Sequence, residues 1–157
     1  MGNMTAKQFL EQPKLLNEKI NMDFMHLQRL RNLRNQFGGG TLQHTKVQGG
    51  QLPHSPVTRI IDQIADLEHK IDRELKEYDA IMADVKCAIA ACGDFREIQV
   101  LTKRYLDEKT WDEINSEMHY SSRHTFELQK EAFRKIELYI AKKSVEKGYN
   151  NGAGQED

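Results

Sequence analysis

Ser121-Ser122-Arg123-His124 places two hydroxyls, a guanidinium and an imidazole at four consecutive positions. That mixture suits recognition better than bond-breaking. A guanidinium offers two parallel N–H donors that match O6 and N7 of guanine, a pairing worth about 1–3 kcal/mol of discrimination, so Arg123 is the leading candidate for a base contact. Ser122 or His124 could read a neighbouring base edge or hold a phosphate. Glu127, one turn further, can accept from N4 of cytosine, although its charge also repels phosphate. Lys130, Arg134 and Lys135 supply cations for a phosphate backbone. Lys109 and Thr110 stand where the amide end of a preceding helix would add one more anion contact.

For these side chains to act together, three helices must carry them. The first is expected from about Phe95 to Leu106, with Ile98, Leu101, Tyr105 and Leu106 as its buried stripe. Thr110, followed three residues later by Glu113, has the pattern of a capping box and opens the second helix, in which Trp111, Ile114 and Met118 face inward. His119 and Tyr120 form the turn, and Ser121 caps the third helix. Along that helix Thr125, Leu128, Ala132, Phe133 and Ile136 recur at three- and four-residue spacing and face the core. Ser122, Arg123, His124, Phe126, Glu127 and Lys130 are left outward. A short turn followed by a basic helix that opens on serine fits a helix laid in a DNA major groove.

The run YLDEKTWDEINSEMHYSSRHTFELQKEAFRKI also resembles a family pattern. A Tyr-Leu ends the first helix, Thr-Trp-x-Glu-Ile opens the second, Tyr-Ser makes the turn and Ala-Phe-x-x-Ile closes the third. It is similar to the helix-turn-helix of bacterial sigma factor region 4, in the small variety of phage and prophage late regulators of the ArpU and RinA type. The resemblance covers residues 94–137, and more loosely the long helix before them. It implies sequence-specific binding of double-stranded DNA, transcriptional control of phage or prophage genes in the host cytoplasm, and Ser121 to His124 as the start of the recognition helix. Contact with RNA polymerase is left open. Two positions depart from the pattern. Asn115 replaces a small apolar residue, which would loosen the packing there, and Thr125 stands where valine is common.

The rest of the chain reads as all-α. Within an N-terminal element of residues 1–37, a helix is expected over 14–37, with Leu16, Ile20, Phe24, Leu27, Leu30 and Phe37 near helical spacing. Residues 38–56, with five glycines and two prolines, read as a flexible loop. Residues 57–92 carry a heptad pattern. Val57, Ile64, Ile71, Tyr78 and Val85 recur every seven residues, and Ile61, Leu75, Met82 and Ile89 form the companion set, interrupted by Glu68. A coiled-coil helix of about 50 Å follows. Its partner is either helix 14–37 folding back or the same helix of another subunit, which makes 57–92 the candidate segment for homo-oligomerisation. Gly93 ends that helix and Asp94 caps the next, opening a C-terminal unit of residues 93–147. Residues 148–157, poor in apolar side chains, are expected to be disordered.

Composition narrows the function classes. The net charge of −1 hides segregation. Residues 1–56 hold seven basic and three acidic side chains, 57–93 five and eight, and 121–143 six and three. Screening over about 8 Å lets a local basic face act despite the overall balance. No run is long and apolar enough for a membrane span, and the N-terminus lacks the pattern of a signal peptide. Cys87 and Cys92 lie five residues apart, and the six histidines have no ligand spacing, so neither a metal nor a cofactor is expected. The carboxylates alternate with lysine and arginine as solvated helix faces do, which argues against an enzyme. Competing non-enzymatic readings are a small terminase subunit, which joins a helix-turn-helix to ring-forming helices, and a protein–protein scaffold. A complete small sigma factor would need aromatic side chains for melted bases. Residues 1–92 offer only Phe9, Phe24, Phe37 and Tyr78.

Overall fold

Thr5 and Gln8 start the first helix: Thr5 N–H donates to Gln8 Oε1 at 3.0 Å and Gln8 N–H to Thr5 Oγ1 at 3.2 Å, a reciprocal cap that satisfies two otherwise orphan amides. The computed structural model describes residues 2–38 and 55–152, and all regular structure among them is helical. Helix α1 spans Ala6–Gly38, α2 Pro56–Ala91, α3 Phe95–Leu101, α4 Trp111–Met118 and α5 Ser122–Gly152. A π-helical turn, Thr102–Leu106, continues α3. Among the described residues no helix is long and apolar enough to cross a membrane. The chain is therefore all-α, as its periodicity indicates.

Helix α1 begins eight residues earlier than expected and runs through Pro13. Proline removes one amide donor but does not end a helix that is already capped and whose flanks pack. The glycine-rich loop expected over 38–56 lies, for residues 39–54, outside the described residues. Gly38 closes α1, while Ser55 caps α2 by accepting from the Thr58 amide at 3.2 Å, with Pro56 in the favoured first position.

The described chain divides into two compact units, residues 15–79 and residues 2–14 with 80–152. In the first unit the later part of α1 and the earlier part of α2 pack antiparallel, burying Leu27, Leu30, Ile60, Ile64, Leu67 and Ile71. One of the two partners that the heptads allow is thus in place: α2 packs on α1 of the same chain. The companion set is corrected by one residue. Ile60, Leu67 and Glu74 are buried beside Ile64 and Ile71, whereas Ile61 and Leu75 are 49% and 41% exposed. On α1, Phe24 and Phe37 are likewise exposed, and Asp23 is half-buried, next to the expected Phe24. Asp23 and Glu74 meet lysines in the seam. Lys70 Nζ is 2.8 Å from Asp23 Oδ2 and Lys19 Nζ is 2.8 Å from Glu74 Oε1. The Lys70 ammonium holds the Asp23 carboxyl below its ordinary range, and Glu74 raises Lys19.

The second unit centres on Ala6, Phe9 and Leu10 of α1, Val85, Ala88, Ile89 and Cys92 at the end of α2, Leu101, and Ala132 and Ile136 of α5. Ala132 has no exposed surface, so the backbones approach closely there, and the Cys92 thiol points to the Ala132 carbonyl at 4.0 Å. Cys87, by contrast, is exposed. Gly93, at φ 77°, turns the chain out of α2, and Asp94 caps α3 by accepting from the Arg96 amide at 2.8 Å. Of the tail expected to be disordered, residues 148–152 continue α5, and residues 153–157 lie outside the described residues.

Candidate nucleic-acid interface

The approach from α3 to α4 is held by charge. The Glu117 carboxylate takes Lys103 Nζ at 2.7 Å and Lys109 Nζ at 2.6 Å, and these two ammonium groups lower its pKa to about 2. Arg104 donates to the Lys109 carbonyl at 2.9 Å and lies 5.0 Å from the centre of the Trp111 ring, a cation–π contact. Thr110 and Glu113 form the expected capping box, with Thr110 N–H to Glu113 Oε2 at 2.7 Å and Glu113 N–H to Thr110 Oγ1 at 3.3 Å. The Thr110 amide, followed by its hydroxyl, holds the Glu113 carboxyl below its ordinary range. Lys109 and Thr110 thus sit at the α4 N-terminus, as expected, but their polar groups are engaged inside the fold. They lie in a network separate from the residues of α5.

Between α4 and α5 the turn is tight. His119 adopts a left-handed conformation (φ 55°) and closes α4, the Tyr120 amide donates to the Asn115 carbonyl at 3.1 Å, and Ser121 Oγ accepts from the His124 amide at 3.2 Å. Ser121 is therefore the cap of α5. His124, expected to be exposed, is half-buried, its ring edge-on to Tyr120 at 4.6 Å. The departure at Asn115 does not loosen the packing. Its carbonyl oxygen accepts from the Thr125 hydroxyl, and its amide donates to Ser122 Oγ at 3.2 Å. Thr125 is 2% exposed. A valine there would have nothing to offer Asn115, so the two departures form one polar pin joining α4 to the first turn of α5.

Thr125, Leu128, Ala132 and Ile136 form the buried stripe of α5, and Phe133 is half-buried against it. Lys135, expected to reach a phosphate backbone, turns inward: its Nζ lies 2.7 Å from Glu97, a carboxylate that is 4% exposed. A buried acid needs such a partner, and the pair ties α5 to α3. Glutamine 129 donates to Tyr105 Oη at 3.4 Å, a further tie to the π-helical turn.

Opposite that stripe, Arg123, Phe126, Glu127, Lys130 and Arg134 are all exposed and, at spacings of three, four, seven and eleven residues from Arg123, share one face. The Arg123 side chain is 89% exposed, and its Nε is 3.4 Å from Glu127 Oε1. Lys130 enters no ion pair among the described residues. Arg134 is held by Glu131, with Nη2 to Oε1 at 2.6 Å. Of the ten candidate residues, Arg123, Glu127, Lys130 and Arg134 are brought together on this outward face, while Lys135 turns inward. Ser121, Ser122 and His124 build the turn beneath it, and Lys109 and Thr110 lie apart. Phe126, 62% exposed, belongs to the same face and lines a shallow groove of about 500 Å³ with Lys130, Phe133 and Arg134. Its outward position was legible from helical spacing. The polar pin was not, because it depends on two side chains ten residues apart meeting across the turn.

A larger groove of about 850 Å³ lies where Phe9 and Gln12 of α1 face Tyr139 and Ile140 of α5. Its polar groups answer one another, since Tyr139 Oη donates to Asp84 at 3.0 Å and Lys143 donates to the same carboxylate. Comparison of the chain with family models, with curated proteins and with solved structures returns no match.

Proposed function

We propose that the protein is a sequence-specific binder of double-stranded DNA that regulates transcription of phage or prophage genes, with the first turns of α5 in the major groove. The observation that carries this reading is the outward face of α5, which begins one residue after a capped, tight turn and presents Arg123 almost fully to solvent, with Lys130 unpaired beside it among the described residues. Helix-turn-helix proteins present the N-terminal residues of the second helix to base edges in this way. The inward commitment of Thr125, Asn115 and Lys135 supports it, because it fixes the rotation of α5 about its axis and so the side chains that reach outward.

Each side chain then has a distinct role. Arg123 gives two parallel donors to guanine O6 and N7 once it leaves Glu127, and that exposed pair is weak enough to yield, at about 0–1 kcal/mol. Glu127 is freed by the same step to accept from a cytosine N4. Lys130 contacts a phosphate, and Arg134 does so by exchanging Glu131 for it. Ser121, Ser122 and His124 set the geometry of the turn and present the α5 amides.

The test is binding of the purified full chain to a selected genomic site and to unrelated DNA, over a range of salt. Arg123→Ala is expected to lose about 1–3 kcal/mol of preference for the selected site while keeping non-specific binding. Lys130→Ala is expected to weaken both kinds of binding alike and to reduce the salt slope by about one. Equal loss of specific and non-specific binding in Arg123→Ala would remove Arg123 from base recognition. Absence of any selected site would remove the DNA reading altogether.

A further inference from the structure

We propose that the outward face of α1 from Leu15 to Leu33 is the surface on which two copies of this chain pair, antiparallel and about a twofold axis. Inside the 15–79 unit, α1 turns Leu16, Ile20, Leu27 and Leu30 toward α2. On its far side stand Leu15, Glu18, Met22, Met25, Arg29 and Leu33, separated by three or four residues and therefore aligned in one stripe. Three of the four apolar members are more than half exposed, Leu15 at 61%, Met22 at 69% and Met25 at 61%, and Leu33 is at 39%. Such a stripe, largely apolar, facing away from its own core and uncovered among the described residues, is a contact surface without its contact.

The order of residue types names the occupant. Read forward, the stripe is leucine, acid, methionine, methionine, base, leucine, and reversal exchanges only the acid with the base. A twofold interface is isologous, so residue i meets j of the partner while j meets i. An antiparallel second copy centred between Met22 and Met25 sets Leu15 against Leu33, Met22 against Met25 and Glu18 against Arg29, each pair occurring twice. The charges are free for this. Lys19, Asp23 and Arg31 of α1 are paired with α2, whereas among the described residues neither Glu18 nor Arg29 enters an ion pair. The seam spans about 27 Å of helix, and the unbranched methionines at its centre adapt to a twofold contact. A different partner would have no need of a sequence that complements its own reversal. The seam of α2 formed by Ile60, Ile64, Leu67 and Ile71 is already filled by α1, so pairing through residues 57–92 would have to use another face.

The experiment is sedimentation equilibrium of the full chain at physiological salt, on wild type, Glu18→Arg, Arg29→Glu and the double exchange, with circular dichroism to confirm that helix content is unchanged. These side chains lie outside the buried core, so each variant keeps its fold. Wild type is expected to be a dimer. Either single exchange places like charges together at two symmetry-related points and should weaken dimerisation by about tenfold or more, which is about 1.4 kcal/mol. The double exchange restores opposite charges and should recover the wild-type constant to within about threefold. Met22→Asp should give a monomer. A monomeric wild type, a ring of many subunits, or a double exchange no better than the singles would each overturn the proposal. None of these outcomes depends on whether α5 binds DNA.

Discussion

Replacing Thr125 by valine removes one hydroxyl, keeps the side-chain shape and leaves the Asn115 carbonyl oxygen without its donor. Thr125 is 2% exposed, so the lost bond is not fully replaced by water. A hydrogen bond contributes about 0.5–1.5 kcal/mol net, and leaving its partner unsatisfied in a buried setting costs about 1–3 kcal/mol. Asn115 is only half-buried, which puts the expected loss for Thr125→Val near the lower end, at about 1–2 kcal/mol. Asn115→Ala strands the buried Thr125 hydroxyl and also frees Ser122, so it should lose about 2 kcal/mol. The double variant Asn115→Ala/Thr125→Val strands neither partner. Its loss should fall short of the sum of the singles by about 1 kcal/mol, the signature of residues in direct contact. Urea unfolding followed by fluorescence is the suitable assay, because the single tryptophan, Trp111, lies on α4 four residues before Asn115 and reports this unit. Losses that add to within about 0.3 kcal/mol would show that the two side chains do not act as a pair and would refute the reasoning.

The clamp on Glu117 predicts a defined acid sensitivity. Its carboxyl is held at about 2 in the fold against an ordinary 4.5, so the stabilisation it provides is complete above 4.5 and is lost as pH falls toward 2. Glu117→Gln should therefore flatten the pH dependence of Trp111 fluorescence in that window, and an unchanged acid transition would show that Lys103 and Lys109 hold nothing together. In the seam of the other unit, Asp23→Leu/Glu74→Leu replaces two carboxylates that lack well-aligned hydrogen bonds at Asp23 Oδ2 and both Glu74 oxygens. With the half-exposed Lys19 and Lys70 left to reach solvent, the double change should be about neutral in urea unfolding followed by circular dichroism. A loss of more than about 2 kcal/mol would mean that the lysine–carboxylate layer is a net contributor.

What sequence conveyed best was local. The Thr110–Glu113 box, the Ser121 cap, the Gly93–Asp94 junction and the buried stripe Thr125, Leu128, Ala132 and Ile136 each depend on residues within a turn or two, and each is found in the structure. The outward placement of Arg123, Glu127, Lys130 and Arg134 follows from that stripe, since a helix with one buried side has an exposed opposite side. Four features depend on which side chain happens to answer a polar one, three of them across eight or more residues, and periodicity does not carry them. Lys135 turns inward because Glu97, 38 residues away, is buried and needs it. Lys109 is taken by Glu117, His124 by Tyr120, and Asn115 by Thr125. A lysine, a histidine or an asparagine on a helix has no intrinsic inside or outside, so periodicity alone cannot assign it.

The one-residue error in the α2 seam has a different origin. Two apolar sets flank Ile64 and Ile71 on this helix, Ile60 with Leu67 on one side and Ile61 with Leu75 on the other, and each is interrupted by one glutamate, Glu74 or Glu68. By apolarity the two choices are nearly equal. The partner separates them: α1 brings Lys19 and Asp23 to the level of Glu74 and Lys70, so the glutamate at 74 can be buried with its charge answered, while Glu68 meets Arg31 at 2.8 Å on a side where both remain exposed. Burying the other set would instead bring Glu68 into the seam. Charge placement in α1 therefore selects the register of a hairpin whose apolar pattern alone is ambiguous, and it is this selection that leaves Ile61 and Leu75 in solvent.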